Sequence, residues 1–235
     1  MHEVIIKTVS NAIKIGYSGK RLGNVNPKFG PGAQANFNKF TAQFPGKTVY
    51  DMPAVGKDRI VEVDGITSEQ LWDSPADALI THRPDALLAL KAADCIPLVF
   101  YVPGKSILAL AHVGTAGARL HLPKKVAAKL SMPAYNLRVF IGPHVSRASY
   151  RFPDKDISEK DLDPSWDKYV SQQDDGWHID LLGYVLDELK ACGVKPENIE
   201  VSDVDTGSDT DYFSHRRHKI TGEPTGRNCF AAHLL

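Results

Sequence analysis

Apolar and polar positions along this 235-residue chain group into short units, most of them of strand length. Glu3 to Val9 mixes β-branched residues with alternation, and Ala12 to Tyr17 does likewise, so both predict strands. The stretch from Gly23 to Gly32 is dense in Gly, Asn and Pro and predicts irregular chain. From Ala33 to Phe44 the period lengthens. Phe37, Phe40 and Phe44 share one helical face, an aromatic stripe that predicts core contact. Residues 48 to 64 read as strand, loop and strand, with Ile60, Val61 and Val63 carrying the second strand. Residues 65 to 75 are polar and predict a surface crossing. Ala76 to Thr81 and Leu87 to Leu90 are short buried-strand candidates, and with no long helix between these units antiparallel pairing is expected.

The strongest apolar pattern follows. Cys95 precedes the run Ile96 to Val102, Pro103-Gly104-Lys105 marks a turn, and Ile107 to Ala111 ends on His112. Two adjacent strands joined by that turn would bring Cys95 level with His112. A thiol beside an imidazole is a pair of metal ligands, or a nucleophile with its base; the alternative is a buried cysteine and a strand-end histidine with structural roles only. Farther on, Pro123 suits a first helical turn and Lys124 to Leu130 reads as helix, while Leu137 to Ile141 reads as a strand stopped by Gly142-Pro143. Residues 150 to 176 are weakly periodic and predict loop or short helix. The best-formed helix starts at Asp180 as N-cap, places Leu182, Val185, Leu186 and Leu189 on one face, and stops at Gly193. Ile199 to Val204 and Phe230 to Leu235 close the series as strands. The expectation is one domain over residues 1–235, of the α+β class, with antiparallel-dominated or mixed sheets flanked by helices.

Charge changes the picture by exclusion. With 28 basic and 28 acidic residues there is no net field to recruit nucleic acid or an anionic membrane. No stretch reaches the roughly 18 to 20 apolar residues of a membrane helix. The first 21 residues lack the pattern of a secretory signal, and three scattered cysteines make no disulfide framework. Together these predict a cytoplasmic location with free thiols. Three loops carry candidate chemistry. Residues 112 to 119 offer glycines for close backbone approach, and residues 141 to 147 place His144 and Arg147 after a strand end. Residues 212 to 227 gather His215, Arg216, Arg217, His218 and Arg227 near glycine turns, a pattern suited to phosphate or carboxylate.

Several of these segments share a wider pattern. Ala93-Asp94-Cys95-Ile96-Pro97 and His112-Val113-Gly114 resemble the two central motifs of the laccase-domain family, formerly called polyphenol oxidases and now understood as zinc-dependent purine nucleoside phosphorylases. The resemblance extends through Ala76–Thr81, Ile141-Gly142-Pro143, Ile179-Asp180-Leu181, Phe213 to Arg217 and Thr225-Gly226-Arg227, in family order. It implies an α/β/α-type fold, related to that of Cys–His glutamine deamidases. The implied activity is phosphorolysis of adenosine, inosine or guanosine, with adenosine deamination in some members. It also implies a zinc held by a Cys and two His, here Cys95 and His112, with Arg216, Arg217, Arg227 and His215 as candidates for substrate and phosphate. The chain departs from the family at Val55, which stands where the other metal histidine belongs. It departs again at Thr115 and Ala116, and at Asp205-Thr206 in place of Cys-Thr. Valine has no donor, so zinc is expected to bind weakly or not at all unless His82, His144 or His215 substitutes. Nine scattered histidines do not suit a coupled copper centre. Three readings stay open: a nucleoside phosphorylase, a Cys–His hydrolase or deamidase, and a silent relative that binds a nucleoside or a partner.

Overall fold

The computed structural model describes residues 3–153 and 164–235. Fourteen strands and five α-helices are assigned within them. Strands β1 (Val4–Val9), β2 (Ile13–Ser18), β3 (Thr48–Asp51), β6 (Ala86–Ala92) and β14 (Asn228–Leu234) make a five-stranded sheet in the order β1-β2-β14-β6-β3. A six-stranded sheet has the order β13-β9-β7-β8-β5-β4. Its members are β4 (Ile60–Glu62), β5 (Ala78–Thr81), β7 (Ile96–Tyr101), β8 (Leu108–Val113), β9 (Arg138–Ile141) and β13 (Ile199–Val201).

The two large sheets lie face to face, which explains the continuous apolar runs. Along β7, Val99 and Tyr101 point into the space between the sheets, where they meet Leu88, Leu90 and Phe230. Their neighbours Ile96, Leu98 and Phe100 point the other way, into a core shared with helices α3 (Leu122–Lys129) and α4 (Leu181–Ala191). Along β6, Leu87 and Ala89 face a third cluster under helix α1 (Ala33–Thr41), with Phe37, Phe40 and Phe44. Strands buried on both faces lose the period-2 signal and read as solid hydrophobic runs. The aromatic stripe of α1 is core, as its spacing predicted. Helix α4 begins at Asp180, which accepts from the Gly183 amide at 2.8 Å, and ends before Gly193 at φ 92°.

The sheets are mixed and the fold is α+β, with antiparallel pairs in the majority, but the local expectation for residues 48 to 90 needs correction. β3 pairs with β6, and β4 with β5, in parallel. Between β3 and β6 the chain leaves for the other sheet and forms β4 and β5 there, so this excursion serves as the crossover that a helix commonly supplies. Residues 150 to 176 also differ from the expected loop or short helix. β10 (Arg151–Phe152), β11 (Val170–Gln173) and β12 (Gly176–Ile179) form a small sheet, with a 3-10 helix at Pro164–Tyr169; the part of the expectation at 154–163 lies outside the described residues.

Phe140 joins the sheets physically: it is fully buried on β9 and stacks on Phe230 of β14 at 6.3 Å between centroids. Phe140→Ala is expected to lower stability by about 3–5 kcal/mol, read by denaturant unfolding, because that ring cannot be replaced by collapse of two opposed sheets.

Candidate active site

The site forms where β7 begins and β8 ends, beside the last helix. Register places Pro97 opposite His112, so Cys95 lies level with Gly114 and His112 is its diagonal neighbour. The expected pairing therefore holds with a two-residue offset. The thiol lies close enough to the imidazole to act on its protonation. Gly114 is required by this approach, since a Cβ there would stand 2.9 Å from the Cys95 sulfur. The glycine-spaced segment after His112 is not an open cradle: it folds into the short helix α2 (Thr115–Arg119).

Asp77 holds His112. Its carboxylate is fully buried at the start of β5 and accepts from His112 Nδ1 at 3.3 Å. The same carboxylate accepts backbone amides from Gly56 and Lys57, each at 2.8 Å, and from Val55 at 3.2 Å. Burial works against the imidazolium, but Cys95 and Asp77 outweigh it and push the His112 pKa up to about 10. For Asp77, burial acts to raise the pKa, while His112 and the two amides win and lower it.

Asp94 sets the position of Cys95. It adopts φ 86°, a left-handed conformation rare for a non-glycine residue, at the bend leading into β7. Thr206 Oγ1 donates to its Oδ1 at 2.8 Å, and the Arg216 amide donates to its Oδ2 at 2.6 Å. Arg216 belongs to helix α5 (His215–Thr221), capped by the Ser214 hydroxyl accepting from the Arg217 amide. That basic run had read as irregular chain, because its polar composition hides the helical period. The serine cap and Gly222 at φ 75° were the available signals.

Arg216 and Arg227 make an outer wall around Asp94, and Arg227 also feels the thiol. The Arg216 guanidinium lies 3.6 Å from the Phe152 ring centroid and 5.6 Å from that of Tyr150, and its Nε is buried with no partner among the described residues. Arg227 lies over Phe29 at 4.2 Å and donates to the Gly226 carbonyl at 2.8 Å. Burial lowers the pKa of each, with Asp94 acting the other way on both and Cys95 on Arg227. His215 is lowered first by burial and then by Arg227. Tyr150, whose hydroxyl pairs with Thr115 at 2.8 Å, lies close enough to Cys95 and Arg216 to feel both. Arg217 is engaged elsewhere: it donates to the carbonyls of Thr206, Gly207, Asp209 and Tyr212 and to Glu223, fastening α5 to the preceding loop. Sequence reasoning missed Asp77 and Tyr150, and it met Asp94, Thr115 and Thr206 only as motif positions or departures, without a role. An aspartate inside the apolar segment Ala76–Thr81 was the one visible hint.

The donor set does not complete a three-ligand zinc site at Cys95 and His112. Among the described residues, the one group of three ligand atoms within 4.8 Å of one another is Glu62, Asp64 and His82. That group could hold a metal ion, but it lies at the opposite end of β5, about 17 Å along the strand from Asp77. His82 is therefore no substitute at Cys95. His144 is buried and bonded through Nδ1 to the Gly142 carbonyl. Arg147 donates to Ser171.

A titration checks the geometry. The His112 ring is expected to titrate near pH 10 by NMR and to shift towards 6.5 in Asp77→Asn. Because the folded value is raised, the stability it contributes is complete below pH 6.5 and lost as pH rises through about 10.

The family described as multi-copper polyphenol oxidoreductase laccase matches residues 33–234. A purine nucleoside phosphorylase of Clostridium acetobutylicum is 29% identical over 157 residues, a match covering 64% of each chain. One of Mycobacterium bovis is 31% identical, over 76% of this chain and 70% of its own. The crystal structure of a Bacillus licheniformis hypothetical protein, YfiH, superposes with a TM-score of 0.79 at 24% identity, covering 95% of this chain and 93% of that one. On the extent of that match, and with the fold and motifs in register, the chain belongs to the laccase-domain family.

Proposed function

We propose that this protein is an enzyme that cleaves purine nucleosides with phosphate, releasing the base and ribose 1-phosphate. The observation that carries the reading is the buried Arg216 Nε without a partner, near Asp94, with Arg227 close enough to Asp94 and Cys95 to feel both. Two desolvated guanidinium groups with free donors suit a phosphate dianion. The names of the relatives point to the same substrates.

Arg216 and Arg227 hold phosphate against the ribose. A phosphate oxygen forms the new bond to C1′ as the C1′–N9 bond breaks, and the bond's electron pair leaves with the base. His112, kept protonated by Asp77 and Cys95, gives its proton to the departing base. Asp77 stays ionised and holds the ring in place throughout. Because Val55 removes a ligand and nothing among the described residues replaces it, no step is routed through zinc or copper.

Phosphate-dependent release of hypoxanthine from inosine, adenine from adenosine or guanine from guanosine, followed by chromatography, tests this directly. Cys95→Ala is expected to lower kcat about 100-fold through its effect on His112. Arg216→Gln and Arg227→Gln are each expected to raise KM for phosphate about tenfold or more. No base from any of the three nucleosides, with or without added zinc, overturns the reading. Ammonia release from adenosine reports deamination in the same mixtures.

The chain Cys95–His112–Asp77 also has the order of a nucleophile, its base and an orienting carboxylate, which supports a cysteine hydrolase or deamidase as a second reading. That reading requires Cys95 to react with iodoacetamide faster than a model thiol near neutral pH. It also requires base release, if any, to be independent of phosphate.

A further inference from the structure

A cavity of about 300 Å³ opens at the carboxyl ends of β3 and β6, on the α1 face of the five-stranded sheet. Asp51 and Lys91 line it. They form an ion pair at 2.5 Å with side chains only 14% and 11% exposed. Such a pair is expensive to bury unless its remaining hydrogen-bonding capacity is met, and here it is not: Asp51 Oδ1 is buried with no donor. Burial raises the Asp51 pKa, against the opposing pull of Lys91. The ammonium of Lys91 rests 4.4 Å from the Phe37 ring centroid and 6.0 Å from that of Trp72. Trp72 itself, on a 3-10 helix at Gln70–Asp73, is 56% exposed, an indole left open beside a polar cavity.

The cavity adjoins the arginine wall of the active site. Lys91 is paired with Cys229 across β6 and β14, and Arg227 is two residues before Cys229, so both cations lie on one face about 7 Å apart along the strand. The ring under Arg227 is Phe29, and the residues before it, Pro27 and Lys28, line the cavity. Arg227 in turn feels the Cys95 thiol. The segment Pro27–Phe29 thus borders both the cavity and Arg227.

We propose that this cavity is the base subsite, taking a purine whose edge presents an N–H donor next to an acceptor: the N–H donates to Asp51, Lys91 donates to the acceptor, and the ring stacks on Trp72. The assignment rests on the phosphorolysis reading for its ribose and phosphate ends. It rests on the cavity alone for the base. Inosine, guanosine and adenosine all carry a donor beside an acceptor on that edge, whereas unsubstituted purine riboside has no N–H there. Stacking on an aromatic ring is tolerant of the base, so selectivity falls to the charged pair.

Two measurements test it. In fluorescence titrations, inosine and guanosine are expected to quench tryptophan emission of the wild-type protein, and Trp72→Phe to remove that quench. Purine riboside is expected to bind about tenfold more weakly than inosine, and Asp51→Asn to erase that difference. In steady-state assays, Trp72→Ala is expected to raise KM for inosine about tenfold with kcat little changed. Trp72 is exposed, so its variants carry the test if Asp51→Asn melts early. Unchanged KM in Trp72→Ala, or a quench that survives in Trp72→Phe, overturns the subsite and leaves phosphorolysis standing. A Trp72-dependent quench in a protein that releases no base supports the subsite and overturns phosphorolysis.

Discussion

The buried carboxylate of Asp77 is the interaction on which the site depends. An ionised group with no solvent exposure is tolerable only when its oxygens are fully occupied, and Asp77 meets that condition with the amides of residues 55–57 and the His112 ring. One group thereby fixes a loop from one side and an imidazole from the other. It also explains how Val55 can be tolerated. The loop is held through backbone amides, so its placement does not depend on the side chain at residue 55.

A second carboxylate, Asp94, performs the matching task for the thiol. Its left-handed backbone is a local strain of order 1–3 kcal/mol, held by Thr206, by the Arg216 amide and by a carbonyl bond to the Val145 amide. Cys95 is thus presented from a bend that the surroundings over-determine. The two supports act on adjacent strands of one sheet, which is why a thiol and an imidazole offset by two residues still meet.

Legibility in the sequence followed burial. Segments packed on both faces, such as Ile96 to Val102, were unmistakable as strands because every residue is apolar. Their partners were less so: the parallel pairing of β3 with β6 depends on an excursion through the other sheet, which no local pattern records. The pair Cys95 and His112 was visible from residue type and spacing, while Asp77 was hidden among alanines and leucines as one polar position in a strand. Helix α5 was missed because basic residues fill its turns and it buries no residue; it is anchored instead by Asp94, which accepts from the Arg216 amide, and by Arg217, which binds carbonyls of the preceding loop. Arg216 and Arg217 are indistinguishable as letters. Only the fold shows that one lies over Phe152 and Tyr150 and the other clamps four carbonyls.

The junction at Asp94 brings together residues from the middle of the chain, the loop at Thr206 and helix α5, positions more than a hundred residues apart. Closing those contacts carries the entropy of large loops, so they form after the strands that bracket them. The full set of contacts around Asp94 therefore requires residues 206–216 to be present. A nascent chain can pair β7 with β8, and so bring Cys95 to its imidazole, but it lacks the Asp94 contacts and the arginines until residues 206–227 have been delivered.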